Sequence, residues 1–245
     1  VFTPEERDRV QEGLVEMARE DGRVVAAAVV GAAARGGGDR WSDVDLTFGL
    51  ADGVGTADVV RDWTSDLGAR FAAVHLFDLP FLASLYRVFL LPGGLQVDLS
   101  FTPAAEFGAF GPQFALLFGS AVERPFVEAS PARHLMGMGV HHAVRARICL
   151  ERGRTWQAQH WIGGARDQAL SAACRVRGLP AGNGRGYDDL PAGVLDAFEG
   201  TLARSLDPAE LARALGRVVG SLLAVARDVP EVPAGLDEHL RQLTR

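Results

Sequence analysis

Three aspartates carry the most chemical information in this chain. Asp43 and Asp45 stand two apart in Trp41-Ser42-Asp43-Val44-Asp45-Leu46, and Asp98 lies in Leu95-Gln96-Val97-Asp98-Leu99-Ser100. Residues two apart on a strand point to the same side, with α-carbons about 6.6 Å apart. Both carboxylates of the first pair therefore reach one small region. Packed together without a counter-ion they would repel, and one would tend to keep its proton. A divalent cation removes that conflict. Mg²⁺ takes oxygen ligands near ~2.1 Å and commonly keeps substrate phosphates in its shell. A third carboxylate lets such a site hold a second ion about 3.5–4 Å away. The glycines Gly36-Gly37-Gly38, a few residues after Gly31, can bring backbone N–H groups close to an anion. A nucleoside triphosphate is the natural anion for a site that also collects Mg²⁺.

The elements that position these residues follow from pattern. Thr3-Pro4-Glu5-Glu6 predicts a capped helix start, with the helix running to about Glu20. Val24 to Val30 is a continuous apolar run of strand length. Gly31 to Arg40 reads as a glycine-rich loop. From Asp43 to Leu50 the pattern alternates, with Val44, Leu46 and Phe48 opposite Asp43, Asp45 and Thr47, as on a half-buried strand. A helix capped by Thr56 is expected to about Leu67, then strands near 72–77 and 86–91. Leu95 to Phe101 alternates again and puts Asp98 on a polar face. After Ser130-Pro131, another capped start, the chain reads as helical at 131–151, 154–177, 191–204, 208–227 and 234–243. The expectation is an α+β fold: a catalytic domain over 1–127, with a mixed sheet and flanking helices, and an all-α bundle over 128–245.

Composition narrows the function. The formal net charge is -6, which lacks the basic face that duplex nucleic acid requires. All 25 basic residues are Arg, so neither a P-loop lysine nor a Schiff-base lysine can exist. Cys149 and Cys174 are isolated, with no zinc-site spacing. No window holds the ~20 apolar residues of a membrane span. A reducing, cytoplasmic setting is expected, with a nucleotide and a small-molecule acceptor as partners. Oligomeric state is not legible.

The stretch Val30-Gly31-Ala32-Ala33-Ala34-Arg35-Gly36, followed by Trp41 to Leu46, resembles the signature of the polymerase beta-like nucleotidyltransferases. In that family a helical turn beginning Gly-Ser follows the first strand, and Asp-x-Asp lies on the next. Leu95 to Ser100 looks like the strand of the third carboxylate. The layout, with Arg154-Thr155-Trp156-Gln157-Ala158 in the helical half, is similar to enzymes that modify aminoglycoside or lincosamide antibiotics.

The resemblance implies Mg²⁺-dependent transfer of a nucleoside monophosphate, AMP by preference, from ATP or another NTP to a hydroxyl, releasing pyrophosphate. It implies two metal ions on Asp43, Asp45 and Asp98, with Asp98 as second-metal ligand, general base or both. Gly31, Ala32, Arg35, Arg40 and Ser42 are the nucleotide-binding candidates. Arg35 has a second reading, as a local cap or ion pair. Trp156 and His160 share a helix face at i, i+4, as an acceptor wall or as aromatic core packing. One departure is plain: Ala32 stands where the family has Ser. Losing one neutral hydrogen bond costs on the order of 1 kcal/mol. Two alternatives therefore stand beside the antibiotic-type enzyme: a degenerate nucleotide-binding relative and a protein-modifying nucleotidyltransferase.

Overall fold

The computed structural model describes residues 1–36 and 39–244. The chain divides into two compact units, Val1–Glu128 and Ala129–Arg245. The first is built on a six-stranded sheet and the second is helical, an α+β architecture in line with the expectation.

In the first unit, α1 (Pro4–Glu20) starts with the anticipated capping box. The Thr3 hydroxyl accepts the Glu6 N–H at 3.2 Å, and the Glu6 carboxylate accepts the Thr3 N–H at 2.7 Å. Next come β1 (Val24–Val30), β2 (Val44–Leu50), α2 (Thr56–Phe71), β3 (Val74–Phe81), β4 (Ser84–Leu90), β5 (Gln96–Pro103) and β6 (Phe114–Phe118). The strand order is β3-β4-β5-β2-β1-β6. Every neighbouring pair is antiparallel except β2 with β5, which run parallel.

Several boundaries differ from the sequence expectation. Thr56 is the first residue of α2 rather than its cap, which is Gly55 and makes no side-chain cap bond. The helix continues past Leu67 to Phe71, and Ala72 ends it in the left-handed region at φ 52°. The two middle strands form a hairpin around Leu82-Ala83, shifted from the anticipated bounds. β6 was not anticipated. Phe-Ala-Leu-Leu-Phe is a short apolar run without alternation, and such a run does not separate strand from helix.

One face of the sheet packs against the helices. Val44, Leu46, Phe48 and Leu50 of β2 and Val97, Leu99 and Phe101 of β5 meet Leu14 and Met17 of α1 and Trp63 and Leu67 of α2. Phe48 lies 4.8 Å from Trp63 and 5.4 Å from Phe101, ring centre to ring centre. Each such side chain contributes roughly 1.5–3 kcal/mol through burial.

The opposite face was expected to be solvated. Instead Thr47, Ser100, Thr102 and Ser84 are buried there too. Phe107 covers part of this face, and a Cβ on Gly49 would stand 3.0 Å from its ring, so glycine makes the room. The hydroxyls satisfy one another: Ser100 donates to Thr47 at 2.7 Å, and Ser84 pairs with Thr102 at 2.6 Å.

In the second unit, α3 (Ala132–Glu151) and α4 (Thr155–Arg175) form a hairpin, followed by α5 (Ala192–Leu195), α6 (Pro208–Ala226) and α7 (Leu236–Gln242). Pro131, not Ser130, occupies the cap position of α3, with no side-chain cap bond. The long helix expected over 191–204 is only α5 and one 3-10 turn, Asp196–Phe198. The chain then turns at Gly200, with φ 74°. Asp207 does cap α6, accepting the Ala209 and Glu210 N–H groups. Gly139 permits close helix packing, since a Cβ there would stand 2.8 Å from Leu222. Among the described residues, no helix is long and apolar enough to cross a membrane.

Candidate active site

The parallel register of β2 and β5 sets Asp45 directly beside Asp98. Asp43 lies one residue before β2. Each of the three carboxylates offers an oxygen, and these oxygens all lie within 4.8 Å of one another. Asp43 is exposed, whereas Asp45 and Asp98 are half-buried. Burial pushes the Asp98 carboxyl above its ordinary range. A hydrogen bond from Gln96 pulls it back, and the charge of Asp43 pushes it further up. The Gln96 amide donates to both Asp98 oxygens, at 2.9 and 3.2 Å.

The donor set fits a hard divalent cation such as Mg²⁺ or Mn²⁺, because every ligand atom is a carboxylate oxygen. Burial is the main cause of the raised Asp98 carboxyl, and the repulsion that Asp43 adds is the cost such an ion removes.

Gly31 closes β1 against this cluster. Its backbone is at φ 71°, ψ -158°, and a Cβ there would stand 2.3 Å from Asp45 Oδ2. Only glycine tolerates both conditions. The chain then winds through a 3-10 turn, Ala32–Arg35, closed by the Ala34 N–H on the Gly31 carbonyl at 3.3 Å. Gly36 ends the turn in the left-handed region. The rest of the anticipated glycine cradle, Gly37 and Gly38, lies outside the described residues. Ala32 is exposed on this turn.

The other nucleotide candidates have partners within the chain. Arg35 Nε donates to the Pro112 carbonyl at 3.0 Å, a partner distant in sequence and neither a cap nor an ion pair. The Arg40 guanidinium stacks on Trp41 at 4.2 Å, and both residues are exposed. The Ser42 hydroxyl accepts the Asp39 N–H at 2.9 Å and donates to the Asp39 carboxylate, closing the turn into β2.

Trp156 and His160 sit on α4 in the helical unit. Trp156 is 77% exposed and His160 is exposed as well, so core packing does not describe them. The packed aromatic is Trp161, which rests on the helical core with His142 at 4.9 Å and His160 at 5.0 Å.

Sequence reasoning passed over two neighbours of the cluster, Gln96 and Tyr86, and over Arg124, whose charge acts on Tyr86. Gln96 holds Asp98, and its signal was the i, i+2 spacing on one strand face. Tyr86 pairs in register with Ser100. Burial pushes its phenol up, its hydrogen bond to Ser100 offsets this in part, and the charges of Asp45 and Arg124 act with opposite signs. Arg124 stacks on Phe110 at 4.6 Å and donates to the Glu106 carbonyl. Neither Tyr86 nor Arg124 gave a sequence signal, because strand register and a loop crossing bring them there.

No family model matches the chain. No curated protein matches it either. Among solved structures, the chain is similar to an aminoglycoside 6-adenyltransferase from Bacillus subtilis, at 13% identity and a TM-score of 0.41. The match covers 100% of this chain and 98% of that one.

Proposed function

We propose that the chain is a metal-dependent nucleotidyltransferase that moves a nucleoside monophosphate from an NTP, ATP by preference, to a hydroxyl of a small acceptor. The observation that carries this reading is the convergence of Asp43, Asp45 and Asp98 on one point beside a turn that only glycine can open. Asp43 and Asp45 would hold the ion shared with the triphosphate, and Asp98 a second. When bound, the ions supply charge neutralisation on the triphosphate and the leaving pyrophosphate.

The chain's own residues do the rest. Gln96 orients Asp98. The backbone of Gly31 and Ala32 lines the side of the cluster on which the resemblance seats the phosphates. Asp98, raised by burial, takes the proton of the acceptor hydroxyl. The hydroxyl oxygen bonds to the α-phosphorus as the bond to pyrophosphate breaks, in line.

The test is calorimetric titration of ATP and GTP, with and without Mg²⁺, into the wild type and Asp45→Asn. Metal-dependent binding to the wild type, weakened at least tenfold in the variant, is the expected result. An inert wild type would sink the assignment. The loss of the family's hydroxyl at Ala32 favours a second reading, a relative that binds nucleotide without turnover. Wild-type binding without pyrophosphate release, restored by Ala32→Ser, would select it.

A further inference from the structure

The register of the sheet continues the carboxylate cluster sideways into an apolar surface. Asp45 on β2 pairs with Asp98 on β5, Asp98 with Val88 on β4, and Val88 with Phe77 on β3. The next row is Thr47, Ser100, Tyr86 and Leu79, and the one after is Gly49, Thr102, Ser84 and Phe81. Residues paired across strands share a face. The hydroxyl bond within each of the last two rows shows that they do so here. Phe77 is therefore on the carboxylate side of the sheet, two strands from Asp98, or about 10 Å at the usual strand spacing.

This shelf is open. Phe77 is 52% exposed, Leu79 55%, Leu90 42% and Val74 61%. Contiguous apolar surface of this kind on an edge hairpin marks a binding face. The hairpin's charged groups turn away from it. Asp78 pairs with Arg87, whose guanidinium also bonds Thr64 of α2, so both belong to the helix-covered face. Among the described residues of β3 and β4, the shelf carries no carboxylate.

We propose that this shelf, the outer face of β3 and β4, seats the apolar body of the acceptor while its hydroxyl reaches Asp98. The inference rests on the nucleotidyl-transfer reading. In-line transfer places the attacking oxygen and the departing pyrophosphate on opposite sides of the phosphorus. The Gly31 turn lies on the β1 side of the cluster, so a triphosphate seated there leaves the β4 and β3 side for the acceptor. A polycationic acceptor would need carboxylates on that side. Val74, Phe77, Leu79, Tyr86 and Leu90 instead select an amphipathic hydroxyl compound with an aromatic or aliphatic face.

Mn²⁺ and proton NMR test this without turnover. The probe is 4-nitrophenyl β-glucopyranoside, with methyl β-glucopyranoside and kanamycin as apolar-free and polycationic controls. Bound Mn²⁺ is counted by electron paramagnetic resonance. The expected result is that protein-bound Mn²⁺ broadens the nitrophenyl protons, and that Asp45→Asn removes the effect. Phe77→Ser with Leu79→Ser should reduce it at least threefold while Mn²⁺ binding is kept. Leu79→Ser alone is the milder variant should the double one melt early.

Unchanged broadening in the shelf variants would overturn the proposal. So would shelf-independent broadening of kanamycin in place of the nitrophenyl probe. A wild-type dimer that the shelf variants split in sedimentation, with probe binding unaltered, would assign the face to a second copy. If the wild type binds no Mn²⁺, the metal reading fails and the acceptor role with it. Metal-free saturation transfer to the probe then decides whether the shelf binds such compounds at all.

Discussion

On β2, Val44, Leu46, Phe48 and Leu50 point to the helices, and Asp45 and Thr47 point the other way. The first set is fully buried in large apolar contacts. The second is small, polar and arranged in hydroxyl and carboxylate rows. Seven residues of one strand thus serve two purposes, because successive side chains leave on opposite faces. The helix-covered face supplies stability, and the outer face carries groups that are costly to bring together.

The sharpest way to break that comparison is a pair of substitutions three residues apart. Asp45→Asn should lower transfer at least about 10³-fold, while the melting temperature stays within roughly 3 °C of the wild type. Phe48→Ala should do the reverse. It empties a site between Trp63 and Phe101 and should cost about 3–5 kcal/mol in denaturant unfolding. The protein that remains folded should keep its affinity for metal-nucleotide. An Asp45→Asn protein that melts far below the wild type would show that the carboxylate is structural.

A second contrast concerns acid. Asp21, at the end of α1, accepts three hydrogen bonds from Arg23 at 2.9–3.0 Å and one from Trp63 of α2 at 2.9 Å. The Arg23 guanidinium, then the Trp63 and backbone bonds, hold its carboxyl down to about 2 against the opposing effect of burial. The folded value lies below the unfolded one, so the contribution is complete above about pH 4 and fades as pH falls through about 2. It amounts to on the order of 2 kcal/mol. Asp21→Asn should remove that much at pH 7 and flatten the acid limb of stability between pH 4 and 2, as read by chemical denaturation. An acid limb unchanged in the variant would locate the acid sensitivity elsewhere.

The sequence made some of this division visible and hid the rest, for identifiable reasons. Local rules were sufficient for α1, where Thr3 and Glu6 cap each other, and for the alternation that put Asp45 and Asp98 on polar strand faces. Register is not local. Nothing in 84–90 or 74–81 shows that Tyr86 meets Ser100 or that Phe77 continues the Asp98 row. Burial of Thr47 and Ser100 was hidden for the same reason: their hydroxyls meet across β2 and β5, and Tyr86 pairs with Ser100 from β4. The long helix expected over 191–204 fails because Gly200 turns the chain and Thr201 bonds back to the Phe198 carbonyl at 2.7 Å. The tryptophan at 156 suits a core by residue type alone, and α4 turns it outward.

The smallest effect probes the outer face most directly. Asp98 differs from Asp21 in sign: burial, and then the nearby Asp43, raise it, so ionising it works against the fold. With divalent metal removed by excess EDTA, its folded value lies above the unfolded one. Stability is then lost as pH rises from the unfolded carboxylate range through the folded value. Asp98→Asn removes the charge from the cluster while keeping a side chain that can still bond Gln96. Its melting temperature in EDTA at neutral pH should rise by roughly 1–3 °C, although transfer is lost. Adding Mg²⁺ should stabilise the wild type and leave the variant nearly unmoved, because the ion binds the assembled carboxylates of the folded state. A variant less stable than the wild type in EDTA would mean that Asp98 serves the fold rather than burdening it, and the division between the two faces would not extend to this residue.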